Sequence, residues 1–368
     1  MPAAASLSTG KRIAIIAPSS LTLRESTGNF IDGLLAARHG LLILTNDEFA
    51  AVDTEFRAGG AVVTAIARRP EGFSLWPARQ DVQVLAKQIA LFDPHALLAC
   101  GAALLPRALA AAKQARVARI AAVLNDAGAG KMPIALTRAL RAAHVVVAHN
   151  RETLRALSLG GLNGAPRSVV QLPGAGADLV ALQALPLPVL DQPLVFLFAG
   201  PLGKASGISE FCEAARLIGL ERLPATFVVA RTPSVEQALE TAPFFVAPAD
   251  NVTIVEDGAE LSQLIASAHV FVAPSHADAM SYHAVQALAA GRPLIVSNTA
   301  GNRETTDEMV NGMLVPTGDA AALADAIQRM IAHRDLLPSM ARASRLKAER
   351  NFSNVPVHTA LNAALGLA

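Results

Sequence analysis

Two glycine-bearing loops carry most of the chemistry in this chain. The first, GPLGKASGISEFCEAARLI, begins at Gly200 after the apolar run Leu194 to Ala199; the second, PSHADAMSYHAVQALAAG, follows Val270 to Ala273. Each runs from the end of an apolar segment into a helical pattern. Such a loop can bring a diphosphate to backbone N–H groups and to the positive end of a helix dipole. Glycine also serves tight turns, so either loop alone is equally a structural device.

The elements that must hold these loops are read from alternation. Apolar runs at Arg12 to Ala17, Leu41 to Thr45, Ala61 to Ala67, Ala96 to Cys100, Ile120 to Leu124, Val145 to Ala148 and Val169 to Leu172 predict strands, with helical patterns between most of them. PSSLTLRESTG reads as a loop and Asn29 to Arg38 as a helix. The proline-rich stretch ALPLPVLDQP, residues 184–193, reads as a linker. A second strand series follows at Leu194, Thr226 to Ala230, Val252 to Val255, Val270 to Ala273, Leu294 to Ser297 and Met313 to Val315. Amphipathic helices are expected from Ala320 to His333 and from Leu336 to Arg350.

Strands alternating with helices imply parallel, doubly wound sheets. The fold class expected is therefore α/β, with two Rossmann-like domains facing across a cleft. Residues 1–183 form the first domain and 194–350 the second, while the tail 351–368 packs back on the first. The 368-residue length and the apolar fraction of 52% agree with two cores built on buried parallel strands.

Composition narrows the partners. The net charge is +1, but residues 1–180 hold nineteen Lys and Arg against twelve Asp and Glu, +7, and the remainder holds twelve against eighteen, −6. The first half is therefore suited to an anionic membrane surface or a lipid-linked diphosphate, unless the imbalance is only a solvated surface. Aromatics make up 4%, too few for the stacking platforms of nucleic-acid binding. Cys100 and Cys212 lie far apart in apolar surroundings, which gives neither a disulfide framework nor a metal spacing. Without a signal peptide or a membrane span in the sequence, the expected place is the cytoplasm, peripheral at the inner membrane face.

Leu172 to Asp178 (LPGAGAD), the loop and helix from Ala199 to Ile218, Phe271 to Gly291 and GNRETTDEMVNGMLVPTGDAAALADAI from Gly301 stand together in one order and spacing. This constellation resembles the family-4 glycosyltransferases of GT-B fold. HNRETLRALSLGGL and RPEGFSLWP are similar to the subgroup that adds hexosamines to polyprenyl-diphosphate-linked glycans. The resemblance implies a retaining transfer from a nucleotide-sugar, a UDP- or GDP-sugar, to a lipid-linked or other glycan acceptor. It implies no cofactor and no metal.

The departures from the family pattern are in the cations and carboxylates. Stabilising the leaving diphosphate calls for fixed cations or dipoles; the family's Arg and Lys positions are here Pro201 and Ser206, with Lys204 two residues before the second. The family's pair of glutamates, eight residues apart, becomes Asp278, toward the donor sugar, and Gln286, toward the ribose. Between them Ala279, Met280, Ser281 and Tyr282 take the glycine-rich turn, whose amides at Met280, Ser281 and Tyr282 are expected to cap a phosphate. Gly200 opens the first loop, and Arg303 of GNRE borders the sugar pocket. In the first domain the family histidine is replaced by Asn125, followed by Asp126, which either contacts an acceptor hydroxyl or caps its own loop. The same departures suit a second reading, a catalytically impaired binding or assembly protein.

Overall fold

The computed structural model describes residues 10–45, 56–66, 79–125, 132–159, 168–200, 204–231, 251–255 and 261–367. RPEGFSLWP and Asp126 lie outside them. The chain divides into two units, Met1–Ala175 with Val355–Ala368, and Gly176–Asn354.

Among the described residues the first unit holds seven strands: β1 Arg12–Ala17, β2 Gly40–Thr45, β3 Val62–Ala65, β4 Ala96–Cys100, β5 Arg119–Leu124, β6 Val145–Ala148 and β7 Ser168–Gln171. They pair in parallel in the order β3-β2-β1-β4-β5-β6-β7. The central strands are buried on both faces, which is why they read as unbroken apolar runs. On one face Ala14, Ile16, Leu97 and Ala122 meet helices Arg79–Phe92, Leu105–Gln114, Ile134–Leu140 and Arg151–Leu159. On the other, Ile13, Ile15, Leu98 and Ala121 meet Ser20–Thr27, Phe30–Ala36 and the C-terminal helix Asn354–Leu365, which contributes Val357, Leu361 and Leu365.

The second unit holds β8 Leu194–Gly200, β9 Ala225–Arg231, β10 Val252–Val255, β11 Val270–Ala273, β12 Leu294–Ser297 and β13 Gly312–Val315. All are parallel, in the order β10-β9-β8-β11-β12-β13. In both sheets the first strand lies at the middle and the chain reverses direction beside it. That reversal, between β1 and β4 and between β8 and β11, is where ligands of such sheets bind, beyond the carboxyl ends of the strands.

One expected loop is a helix. Ser20–Thr27 is helical because Ser19 caps it, its hydroxyl accepting from Thr22 N–H at 3.0 Å, and because Leu23 is buried in the core. Gly28, at φ 58°, ends that helix and separates it from Phe30–Ala36. The proline-rich stretch 184–193 contains neither helix nor strand. It is held by Arg292, a fully buried guanidinium that donates to the carbonyls of Pro186, Ile265 and Ala266 at 3.1, 2.9 and 3.1 Å.

Candidate functional site

The site of the second unit is built at the carboxyl ends of β8, β11 and β12, three neighbouring strands. The chain after β8 reaches a short turn, Lys204–Ser206, and then Gly207, whose left-handed φ of 76° starts the helix Ile208–Leu220. The chain after β11 runs from Pro274 to Ser281, which caps the helix Tyr282–Ala289 by accepting from Ala284 N–H at 3.2 Å.

These two segments are locked together. His276 N–H donates to the Ala205 carbonyl at 2.9 Å, and the Ser275 hydroxyl donates to the same carbonyl at 3.3 Å. The backbone of Pro274 lies so close to Gly207 that a Cβ there would stand 2.0 Å from the Pro274 oxygen. His276 Nε2 lies 2.9 Å from Glu210 Oε1 in the first turn of Ile208–Leu220, which joins the loop to the helix by a side-chain pair.

The segment after β12 closes the third side. Ala300 N–H donates to Asp278 Oδ1 at 3.2 Å and Gly301 N–H to the Asp278 carbonyl at 3.0 Å. Gly301 packs on the backbone of Ala279 and Met280, where a Cβ would meet Met280 N at 2.3 Å. Ser297 Oγ donates to the Ser275 carbonyl, and Asn302 Nδ2 donates to Ser297 O and Oγ, both at 3.1 Å. The Thr299 hydroxyl is buried there with no hydrogen-bond partner among the described residues.

The expected residues sort as follows. Asp278, Ala279, Met280, Ser281 and Tyr282 lie on one segment beside the turn that carries Lys204. The Asp278 carboxylate braces the segment after β12 while remaining partly exposed. Met280 is buried in the core beneath. Tyr282 is half-buried with its ring 5.7 Å from that of His283. Gln286 is half-buried one turn further on, and its Oε1 is enclosed with no hydrogen-bond partner among the described residues. Gly200 ends β8, and among the described residues only the Phe198 ring is near its Cβ position.

Arg303 is exposed and donates to Asn298 O and Oδ1, at 3.3 and 3.2 Å, so it folds back on the segment that bears it. Pro201 lies outside the described residues, as does the side chain of Lys204. Glu210, His276 and Thr299 are the site residues that sequence reading missed. Glu210 and His276 stand 66 positions apart, and nothing in either spacing announces their pairing.

In the first unit, Asn125 stands at the carboxyl end of β5. Its Oδ1 accepts from the Ser26 hydroxyl at 2.9 Å and its carbonyl from Asn150 Nδ2 at 3.0 Å. His149, beside it at the end of β6, is buried, and burial alone lowers its pKa to about 4. Cys100, at the end of β4, is pushed up to about 12 by burial, against the Ser26 hydrogen bond that lowers it, so it stays a thiol. Its chemistry is packing.

Among the described residues no group of three or more His, Cys, Asp and Glu is placed to hold a metal. No described helix is long and apolar enough to cross a membrane.

Comparison with known proteins agrees with this geometry. A family model described as glycosyl transferases group 1 matches residues 193–333, the stretch that carries all three loops. The capsular polysaccharide biosynthesis glycosyltransferase CapM of Staphylococcus aureus is 23% identical over 225 residues, 60% of this chain and 57% of that protein. The amylovoran biosynthesis glycosyltransferase AmsK of Erwinia amylovora is 27% identical over 173 residues, 45% of this chain and 42% of that protein. The chain thus spans about half the length of these curated relatives. Among solved structures, Anabaena HepE in complex with UDP and glucose superposes with a TM-score of 0.72 at 17% identity, covering 97% of this chain and 99% of that one. Sucrose-phosphate synthase of Thermosynechococcus elongatus gives 0.68 at 18%, covering 96% and 98%. The chain has the GT-B fold, and its residues 193–333 match the glycosyl transferases of group 1.

Proposed function

We propose that this chain is a glycosyltransferase that takes a sugar from a UDP- or GDP-linked donor at the loops following β8, β11 and β12. Its product is a lipid-linked or surface glycan. The observation that carries this reading is the interlocking of those loops at the sheet's reversal point, within the stretch that matches group 1 glycosyl transferases. HepE, of the same fold, has been crystallised with UDP-glucose, and CapM and AmsK are named for polysaccharide biosynthesis.

In this reading the donor diphosphate lies at the start of Tyr282–Ala289. Ser281 satisfies one first-turn amide there, and the remaining first-turn N–H groups have no carbonyl four residues earlier within the helix. They and the helix dipole take over part of the role of the cations replaced at Pro201 and Ser206. Lys204 supplies charge from the turn after β8. Gln286 receives the ribose, Asp278 and Arg303 border the sugar, and Asn125 and Asp126 serve the acceptor. The bond from the anomeric carbon to the diphosphate breaks, one to the acceptor oxygen forms, and the acceptor's proton is released. We assign retention of anomeric configuration and a hexosyl or N-acetylhexosaminyl donor by resemblance to the family.

Gln286→Ala tests the donor placement. The substitution removes a neutral hydrogen bond to ribose and should weaken nucleotide binding by about 1 to 2 kcal/mol. Calorimetric titration with UDP and GDP reads this directly, and unchanged affinity would show that Gln286 does not meet the nucleotide. The second reading, a binding or assembly protein that performs no transfer, draws support from the uncharged Pro201 and Ser206 and from the engagement of Asp278 with Ala300. It predicts nucleotide or glycan binding with no release of free nucleotide from any donor.

A further inference from the structure

The positive charge of the first half is concentrated on one face of the first sheet. The four helices on that face, Arg79–Phe92, Leu105–Gln114, Ile134–Leu140 and Arg151–Leu159, carry seven Lys and Arg against two carboxylates, Asp81 and Glu152. Arg116 and Arg141, just beyond two of these helices, are exposed as well. Among the described residues, the helical segments on the opposite face carry Arg24 and Arg57 against Glu25 and Asp32.

The same basic layer exposes large apolar side chains. Leu91, Ile134 and Leu159 are 88%, 83% and 88% exposed, and Val84 is also exposed. Between three of the helices runs a groove of about 550 Å³, floored by Val82, Leu109 and Ala139 and edged by Lys113 and Arg138, with no carboxylate in its lining. Sequence alone does not collect these residues, which come from segments up to 80 positions apart; the parallel sheet does so by placing successive crossover helices side by side.

We infer that this four-helix face docks on an anionic lipid bilayer. Cations interspersed with protruding aliphatic side chains match a surface that is anionic at the headgroups and apolar beneath, because leucine and isoleucine enter the interface while lysine and arginine stay at the phosphates. A purely polyanionic partner would account for the cations and leave Leu91, Ile134 and Leu159 unused. The inference goes beyond the donor-site reading and does not depend on it, since vesicle binding is measured without nucleotide.

The test is sedimentation of the full chain with vesicles of phosphatidylcholine alone and of phosphatidylcholine mixed with phosphatidylglycerol. We expect binding at least about tenfold tighter to the anionic vesicles, weakening as salt is raised. Lys113→Glu with Arg138→Glu should lower that affinity by about tenfold or more, and Ile134→Asp should lower it as well. Arg329→Glu with Arg350→Glu, an equal charge change in the second unit, should leave it within about twofold. Equal binding to both vesicle types, no binding to either, or equal losses from the two charge-reversal pairs would overturn the inference. So would retention on soluble heparin without any vesicle binding.

Discussion

Gly207→Ala is expected to destabilise the second unit by about 3 kcal/mol or more and to abolish its nucleotide binding. The added Cβ would stand 2.0 Å from the Pro274 oxygen and 2.5 Å from its carbonyl carbon. Both are backbone atoms at the end of a buried strand, so no side chain can swing aside. The φ of 76° adds strain of its own, because a non-glycine residue in the left-handed region costs roughly 1 to 2 kcal/mol.

To relieve the clash, the segment after β8 must separate from the segment after β11. That separation breaks the hydrogen bonds of Ala205 with Ser275 and His276 and shifts Asp278 and Ser281. Gly200→Ala is the matched control, since among the described residues its Cβ would meet only the Phe198 ring, at 3.6 Å. Thermal unfolding should show a drop of roughly 6 to 12 °C for Gly207→Ala and little change for Gly200→Ala. Equal behaviour of the two variants would mean that the loops are not locked as described.

Acid should weaken both units through buried histidines whose pKa values burial lowers: His149 in the first, His269 and His283 in the second. His149 in the first and His283 in the second have pKa values lowered by burial to about 4. The ordinary value is 6.5, so below that pH the unfolded chain takes up protons that the folded chain refuses. His149 and His283 therefore each contribute stability that is full above pH 6.5 and is lost as the pH falls toward 4, up to about 3 kcal/mol apiece as an order of magnitude. His283 also sits in the first turn of its helix, where the dipole disfavours a cation. Urea midpoints measured between pH 6.5 and 5, above the main carboxylate range, isolate the effect. His283→Gln should reduce the pH dependence of the second unit, with His269 keeping part of it, and leave that of the first unchanged. An undiminished slope would contradict the burial account.

Much of the fold was legible in the sequence because parallel strands covered on both faces leave continuous apolar runs. Ala96–Cys100, Val145–Ala148, Val252–Val255, Val270–Ala273 and Leu294–Ser297 begin and end where those runs do. Ser20–Thr27 was not legible. Its Ser-Ser-Leu-Thr start has loop chemistry, and only the Ser19 cap and the burial of Leu23 make it a helix.

The two glycine-bearing loops were legible by their position after β8 and β11, yet their internal fastening was not. The Glu210–His276 pair and the packing of Gly301 on Met280 join residues 66 and 21 positions apart, and each contact is set by strand order rather than by local pattern. The same holds for Asp278. Its spacing from Gln286 was readable, while its acceptance of the Ala300 amide required β11 and β12 to lie side by side.

In the proposed function, the loops after β8, β11 and β12 hold a nucleotide diphosphate without the pair of cations expected at positions 201 and 206. Isothermal titration of the wild-type chain with UDP, GDP and their sugars tests it most directly. Saturable one-to-one binding of at least one of them is expected, with Gly207→Ala binding none. No heat and no thermal stabilisation from any nucleotide or nucleotide-sugar would contradict it.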